Sequence, residues 1–241
     1  VFFCTMENFL RRLKYYGIGF GIGLLFVIFF FKNKGCAWTP ENRVKNAIFE
    51  RLIVINDDNK NELNKLNISE RELIQILRNS DVNFQKSKKT DRFKVYHFDC
   101  KTKAGKEFTT LLTLGKESFL SEVLIKEKNA VKAKNSKEGI GKIIYFPKER
   151  NLVYVDTTDK LICQKERLQL IDNNQIFQQI RKNGVLDFQN SNLDRNPKPE
   201  HCIIFKDKKN REVRAYTLWH MDKIEIFRLD LTFDNFCTRA Y

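Results

Sequence analysis

The sequence predicts an α+β protein in which an N-terminal transmembrane helix precedes two tandem, duplicated domains. Each domain is expected to be a short helix packed on an antiparallel meander. Three observations predict this fold class. A run of 17 residues without a charge lies at 15–31, and two later segments resemble each other at an offset of 103 residues. Runs of alternating apolar and polar residues, typical of half-buried strands, follow both segments.

The uncharged run YYGIGFGIGLLFVIFFF indicates a transmembrane helix over 15–31. A spanning helix needs roughly 17 to 25 apolar residues. Basic residues flank the run, including Arg11 before it and Lys32 after it. Lysine stems can lie in lipid while their ammonium groups reach the headgroups, and Tyr15 and Tyr16 suit the interfacial aromatic belt.

Four glycines alternate along this helix, and they form two overlapping GxxxG pairs: Gly17, Gly19, Gly21 and Gly23. Small residues four apart lie on one helix face and allow a second backbone to approach closely. We therefore predict transmembrane packing through these glycines, including possible self-association. The alternative is that glycine is simply common in membrane helices.

Orientation is weakly specified, because Lys and Arg are almost balanced on the two sides of the helix. The six cysteines have irregular spacing and no CxxC pair, and the formal net charge is +14. We interpret most cysteines as small buried side chains in a reducing compartment. These features favour a single-pass protein of the inner (cytoplasmic) membrane with its soluble part in the cytoplasm. The basic N-terminal tail, if retained inside, would instead export the soluble part.

An internal repeat organises the soluble part. NISERELIQILRNSDVNFQ, from Asn67, aligns with LIDNNQIFQQIRKNGVLDFQ, from Leu170, and Arg78 matches Arg181. Further on, GKEFTTLLTL aligns with NREVRAYTLW at an offset of 105. We interpret the match as a duplication with a small loop insertion. Chance similarity between two pieces of one biased composition is the alternative.

Each copy is predicted to start with a capped helix. Ser69 and Asp172 stand at N-cap positions, where a side-chain oxygen accepts a backbone N–H of the first turn. Asn79 and the pair Asn183-Gly184 are expected to end the helices in the left-handed conformation. Strands are predicted in RFKVYHFDCKT, KEFTTLLTL and SFLSEVLIK, and then in EHCIIFKDK, REVRAYTLW and DKIEIFRLDL.

The predicted domain organisation has six parts along the chain. These are a short basic tail (1–14), the transmembrane helix (15–31), a juxtamembrane segment (32–51), the first α+β repeat (52–128), a polar connector (129–143), and a hairpin plus the second repeat (144–241). The hairpin is expected in GKIIYFPKERNLVYVD, turning at PKERN.

The order of a capped helix, a strand and a hairpin with a polar turn resembles a small bacterial domain family of unknown function, some members of which are tethered to membranes. KNGVLDF, CIIFKDKKNREVRAYTLW and DKIEIFRLDL carry the resemblance, and NSDVNF with HFDCKTKAGKEFTTLLTL carries it less strongly. The family has been placed near the RelE-like and barnase-like ribonuclease toxins. The resemblance therefore implies a related fold, and it raises the expectation of ribonuclease chemistry. Both copies lack the clustered His, Glu and Arg residues of such a nuclease site.

The candidate chemical groups are few. His97 and His201 fall within one residue of each other in the alignment, so they could be equivalent general bases beside a groove. The alternative is that they are ordinary strand residues. Arg78 and Arg181, which match each other in the alignment near the helix ends, are further candidate site residues. We predict no catalytic residue, cofactor or metal site, because acidic, His and Cys residues are nowhere clustered at ligand spacing.

These features predict a membrane-anchored binding module without catalytic activity, whose partner is another membrane or envelope protein. Two alternatives belong to other classes: a membrane-tethered ribonuclease, and a tether for nucleic acid or anionic lipid. The basic runs KSKKTDRFK and VKAKNSKEGIGK motivate the tether, since lysine neutralises phosphates without reading sequence.

Overall fold

The computed structural model of the chain describes residues 2–32, 39–88, 93–126, 136–147, 153–156, 158–170, 172–220, 222–231 and 237. The chain divides into two compact units, Val1–Val44 and Lys45–Tyr241. We call these the anchor unit and the sheet unit, and each is described by itself.

A single long helix, α1 (Phe2–Lys32), dominates the anchor unit. Its segment Arg11–Phe29 is long and apolar enough to cross a membrane, a criterion that a signal sequence near an N-terminus also meets, and none of that segment is buried. The predicted tail belongs to this same helix from Phe2 onward. A second helix, α2 (Pro40–Phe49), occupies much of the predicted juxtamembrane segment. Pro40 suits a first helical position, where the missing N–H would be unpaired anyway.

The sheet unit begins with seven elements that we call the first half: β1 (Leu52–Asn56), α3 (Asp57–Lys65), α4 (Glu70–Asn79), β2 (Asp81–Lys88), β3 (Phe93–Lys101), β4 (Glu107–Gly115) and β5 (Leu120–Lys126). A linking strand, β6 (Ile140–Tyr145), follows. The second half has the same order of elements: β7 (Tyr154–Asp156), α5 (Asp159–Arg167), α6 (Asn173–Asn183), β8 (Val185–Asn192), β9 (Glu200–Lys206), β10 (Glu212–Trp219) and β11 (Ile224–Leu231).

All eleven strands form one mixed sheet in the order β2-β3-β4-β5-β1-β6-β8-β9-β10-β11-β7. Each half is an antiparallel meander of four strands, to which its first strand is added in parallel: β1 pairs with β5, and β7 pairs with β11. The linking strand β6 is antiparallel to both β1 and β8. The predicted α+β class is confirmed. Division into two tandem domains is not confirmed, since one sheet and one compact unit span both halves.

The predicted hairpin in 144–156 is wrong. Its first arm lies in β6 at the centre of the sheet, whereas its second arm is β7 at the sheet edge. The predicted turn PKERN, at 147–151, lies outside the described residues except for Pro147. The connector predicted over 129–143 falls partly outside them too, and residues 140–143 belong to β6.

The helix starts agree with their predicted caps. The Ser69 hydroxyl accepts the Glu72 N–H at 3.2 Å, and the Asp172 carboxylate accepts the Gln175 N–H at 2.8 Å. The left-handed helix ends are wrong, since Gly184 has φ −72° and ψ 142° and leads straight into β8. Glycine is needed there for space, because a Cβ would lie 2.3 Å from the Ile180 carbonyl oxygen.

The two halves share one hydrophobic core. Leu52 and Val54, from β1 of the first half, lie in the same buried cluster as residues of α6, including Phe177. Phe119, just before β5, stacks on Trp219 at the end of β10, with ring centroids 6.2 Å apart. The sheet therefore coils far enough for the start of β1 and β5 to contact the second half, as twisted sheets of many strands do.

A four-residue bulge recurs in both halves. The Ser87 hydroxyl donates to the Asn83 carbonyl oxygen and accepts the His97 N–H. In the second half, the Ser191 hydroxyl donates to the Asp187 carbonyl oxygen and accepts the Cys202 N–H. The strand registers shift at the same two places. Each serine therefore replaces the ladder hydrogen bonds that the bulge interrupts.

The cysteines depart from the expectation of free thiols. Cys163 of α5 forms a disulfide with Cys237, which lies 74 residues later. Cys100 and Cys202 are free and buried. Because structural disulfides persist in oxidising compartments, the pair argues against the reducing environment that the cysteine spacing suggested.

Candidate binding cleft

The two candidate histidines are not equivalent in the structure. His97 lies opposite Asn83, whereas the residue opposite the corresponding Asp187 is Cys202. His201 is one position earlier, and successive strand residues point to opposite faces of a sheet. The predicted pair of equivalent bases is therefore wrong: His97 is half-buried on one face, and His201 is fully buried on the other.

His201 belongs to a closed junction between the halves. Its Nε2 lies 3.1 Å from the hydroxyl oxygen of Ser118, the residue that precedes Phe119. The Arg51 Nε donates to the Ser118 carbonyl oxygen at 2.8 Å, and its guanidinium lies 4.8 Å from the Trp219 ring centroid. Burial lowers the pKa of His201 to about 4 and also lowers the pKa of Arg51.

A serine beside a histidine suggests nucleophilic catalysis, but this pair is inaccessible. Ser118 and His201 each have 0% of their surface exposed. A nucleophile must reach a reacting atom at about 3 Å, and no substrate approaches side chains enclosed on every side. The pair instead joins β9 to the turn before β5, so its role is to fix the two halves against each other.

The matched arginines lie on the two sides of the end of β6. Arg78 donates to the Tyr145 hydroxyl at 3.3 Å and lies 4.4 Å from the Phe49 ring centroid. Arg181 donates to the Pro147 carbonyl oxygen at 3.3 Å, and its guanidinium lies 5.1 Å from the Phe146 ring centroid. Their guanidinium groups therefore contact the end of the linking strand and the residues that follow it.

The four glycines of α1 lie on an open surface. A Cβ built at Gly17, Gly19, Gly21 or Gly23 meets nothing within 4 Å in the described part of the chain. These positions have room for a second helix, and packing through them stays a prediction.

A cleft of about 990 Å³ opens in the first half, and it contains none of the predicted site residues. One wall is the exposed side of α4, with Glu72, Gln75 and Asn79. The other wall is the end of the β3–β4 hairpin, and Cys100 and Phe108 also line it. Sequence reasoning missed this cleft, because an exposed helix face beside a polar hairpin carries no local signal.

The corresponding part of the second half packs into the shared core. Strand register matches Cys100 with Phe205, since Cys100 pairs with Phe108 and Phe205 pairs with Val213. Phe205 is 1% exposed and belongs to the shared core. The Asn183 side chain also accepts the Lys206 N–H at 2.8 Å, which ties the end of α6 to β9. The helix α4 has 10 residues against 11 in α6, so its last turn stops short of the same contact.

The rim of the cleft carries both signs of charge. Lys103 lies 3.8 Å from Glu72, and Lys101 lies 3.9 Å from Glu107. Such exposed pairs contribute little to stability, so they can exchange for a ligand's charges at small cost. Inside the cleft, desolvation raises the pKa of the Cys100 thiol. The thiol therefore stays protonated and is a poor nucleophile.

Within the described ranges, no group of three or more His, Cys, Asp or Glu side chains is arranged to hold a metal ion. The two lysine-rich runs lie partly outside those ranges, at 89–92 and 131–135. No protein-family model, curated protein or solved structure matches this chain.

Proposed function

We propose that this protein is a membrane-anchored, non-catalytic binding module that holds a partner protein in the cleft of its first half. One observation carries the proposal: a cleft opens between helix and hairpin in the first half, whereas in the second half the Asn183 side chain ties the matched helix end to β9. Two halves with the same order of elements are the expected product of a duplication. The half that kept a closed core serves as scaffold, and the other half became the receptor.

Several repeated details support the duplication. Both helices carry a side-chain N-cap, at Ser69 and Asp172. Both following strands carry a bulge bridged by a serine, Ser87 or Ser191. The capped helix, strand and hairpin also support membership, as a divergent relative, in the bacterial membrane-tethered family that the sequence resembles.

The anchor is a single pass through the bacterial inner membrane, and its GxxxG faces support self-association. The sheet unit lies on the oxidising side of that membrane. The Cys163–Cys237 disulfide supports this side, and the basic residues before the span, such as Arg11, suit retention inside. Alkaline phosphatase fused to Tyr241 should be active and a fluorescent protein there should be dark. The reverse pattern would contradict this orientation.

Site-specific photo-crosslinking in intact cells tests the cleft. Gln75 lies on the cleft wall, and Gln178 is its matched control, six residues after the N-cap in the corresponding helix and also exposed. We expect a photoreactive residue at 75 to give a discrete adduct with one protein, and the same residue at 178 to give none. Equal adducts at both positions, or none at 75, would refute a receptor in the first half.

The ribonuclease and tether alternatives make different predictions. The purified full chain in detergent should leave RNA intact at low salt, whereas a ribonuclease would degrade it. A tether for nucleic acid or anionic lipid would show affinity that falls steeply with salt.

A further inference from the structure

Strand β2, at one end of the sheet, has an outer edge, whereas its counterpart β8 in the second half does not. Within the described residues, β2 is the terminal strand and pairs only with β3. Its counterpart β8 pairs with β9 on one side and receives β6 on the other. An extended edge strand is a template on which another strand can add.

Strand register sets the correspondence residue by residue. Val82 pairs with Phe98, as Leu186 pairs with Ile203, and the serine-bridged bulge begins one residue later in both strands. In the second half, β6 places Gly141 opposite Leu186. By this correspondence, a strand added to β2 would place a residue opposite Val82.

In the second half, the residue at the matching position of the added strand must be small. A Cβ on Gly141 would lie 2.8 Å from a ring carbon of Phe188 and 3.3 Å from the Val54 side chain, so only glycine fits beside that ring. Phe84 occupies the place of Phe188 in β2. Phe188 is 2% exposed, whereas Phe84 is partly exposed.

Charge indicates the next residue of the added strand. Lys142, which follows Gly141, lies opposite Val185, and the corresponding residue in β2 is the exposed Asp81. Opposite charges directly across a pair of strands are favourable. Asp81 also lines the cleft, so the edge and the cleft are contiguous.

We propose that the outer edge of β2, at Asp81–Asn83, binds an extended segment of the partner protein as an added antiparallel strand with a Gly-Lys or Gly-Arg pair at its centre. The inference rests on the proposed function, because it names what the receptor half holds. A second copy of this chain is a poor occupant, since β6 is already paired on both edges. The exposed Lys86 and Lys88 also disfavour edge-to-edge pairing of two copies.

A peptide that copies residues 139–145, GIGKIIY, is the probe. Fluorescence anisotropy measures its binding to the full chain in detergent micelles. We expect saturable binding, and at least tenfold weaker binding when valine replaces the central glycine. Asp81→Lys should weaken binding at least tenfold, and a peptide with Glu in place of Lys should restore it to that variant. Asp222→Lys, which makes the same charge change at an exposed site of the second half, is the matched control and should bind like the wild type.

The outcomes separate the two proposals. A peptide that fails to bind, or that binds wild type and Asp81→Lys equally, overturns strand addition at β2. Equal binding would mean that the peptide replaces β6 beside β8. After either result, the photo-crosslinking adduct at position 75 still tests whether the cleft of the first half holds a partner protein. Restoration by the charge-swapped peptide also shows that Asp81→Lys is folded.

Discussion

Reduction of the Cys163–Cys237 disulfide should lower the free energy of unfolding by about 4.5 kcal/mol. The bond closes a loop of 74 residues. In the chain-entropy model such a loop removes about 15 cal/mol/K from the unfolded state, or about 4.5 kcal/mol at 25 °C. With an m-value of about 3 kcal/mol/M in urea, the unfolding midpoint falls by about 1.5 M.

Urea unfolding of the full chain in detergent, followed by tryptophan fluorescence, measures this shift with and without reductant. The double variant Cys163→Ser/Cys237→Ser should unfold at the reduced midpoint under both conditions. That variant is the control for the other cysteines, because it leaves them in place. A wild-type midpoint that does not move on reduction would refute the pairing and, with it, the argument for an oxidising compartment.

Three further predictions concern buried contacts. Gly141→Ala should destabilise the fold by about 1–3 kcal/mol through overpacking against Phe188, measured as a lower midpoint in thermal unfolding. His201 has a folded pKa of about 4 against an ordinary value of 6.5. Between pH 4 and 6.5 the unfolded state therefore binds more protons than the folded state. The contribution of neutral His201 to stability is fully present above pH 6.5, and the free energy of unfolding should fall by up to about 3 kcal/mol as the pH drops to 4. His201→Gln should remove that slope, and an unchanged slope would contradict this assignment. Ser191→Ala should cost about 1–3 kcal/mol in chemical unfolding, because the N–H of Cys202 loses its acceptor in the core; a neutral effect would show that the bulge does not need its serine.

Local sequence patterns predict correctly those features that depend on residues close together in the chain. Ser69 and Asp172 were predicted as helix caps from residue type and spacing, and both accept the expected N–H. The strands β3, β9 and β10 lie within the alternating runs, and β4 extends one residue beyond its run. Alternate residues of a half-buried strand face the core, so the alternation of apolar and polar residues predicts the strand from the sequence.

The pairing of the linking strand β6 could not be predicted from local sequence patterns. GKIIYF reads as the first arm of a hairpin, yet β6 pairs with β1 and β8, whose partner residues lie far away in the chain. Gly141, at the start of that predicted arm, is the point where the Phe188 ring packs against the strand. Both facts depend on which strands lie side by side, and alternation alone does not specify neighbours.

The sequence by itself determined the apolar N-terminal helix, the α+β class, the caps and most strand positions, because each follows from composition or periodicity within a short window. The tertiary structure decided the shared core, to which both Leu52 and Phe177 belong, and the buried contact of Ser118 with His201. It also decided the Cys163–Cys237 bond and the open cleft. These features join residues that are distant in the chain, and only the coiling of one sheet through both halves brings them together.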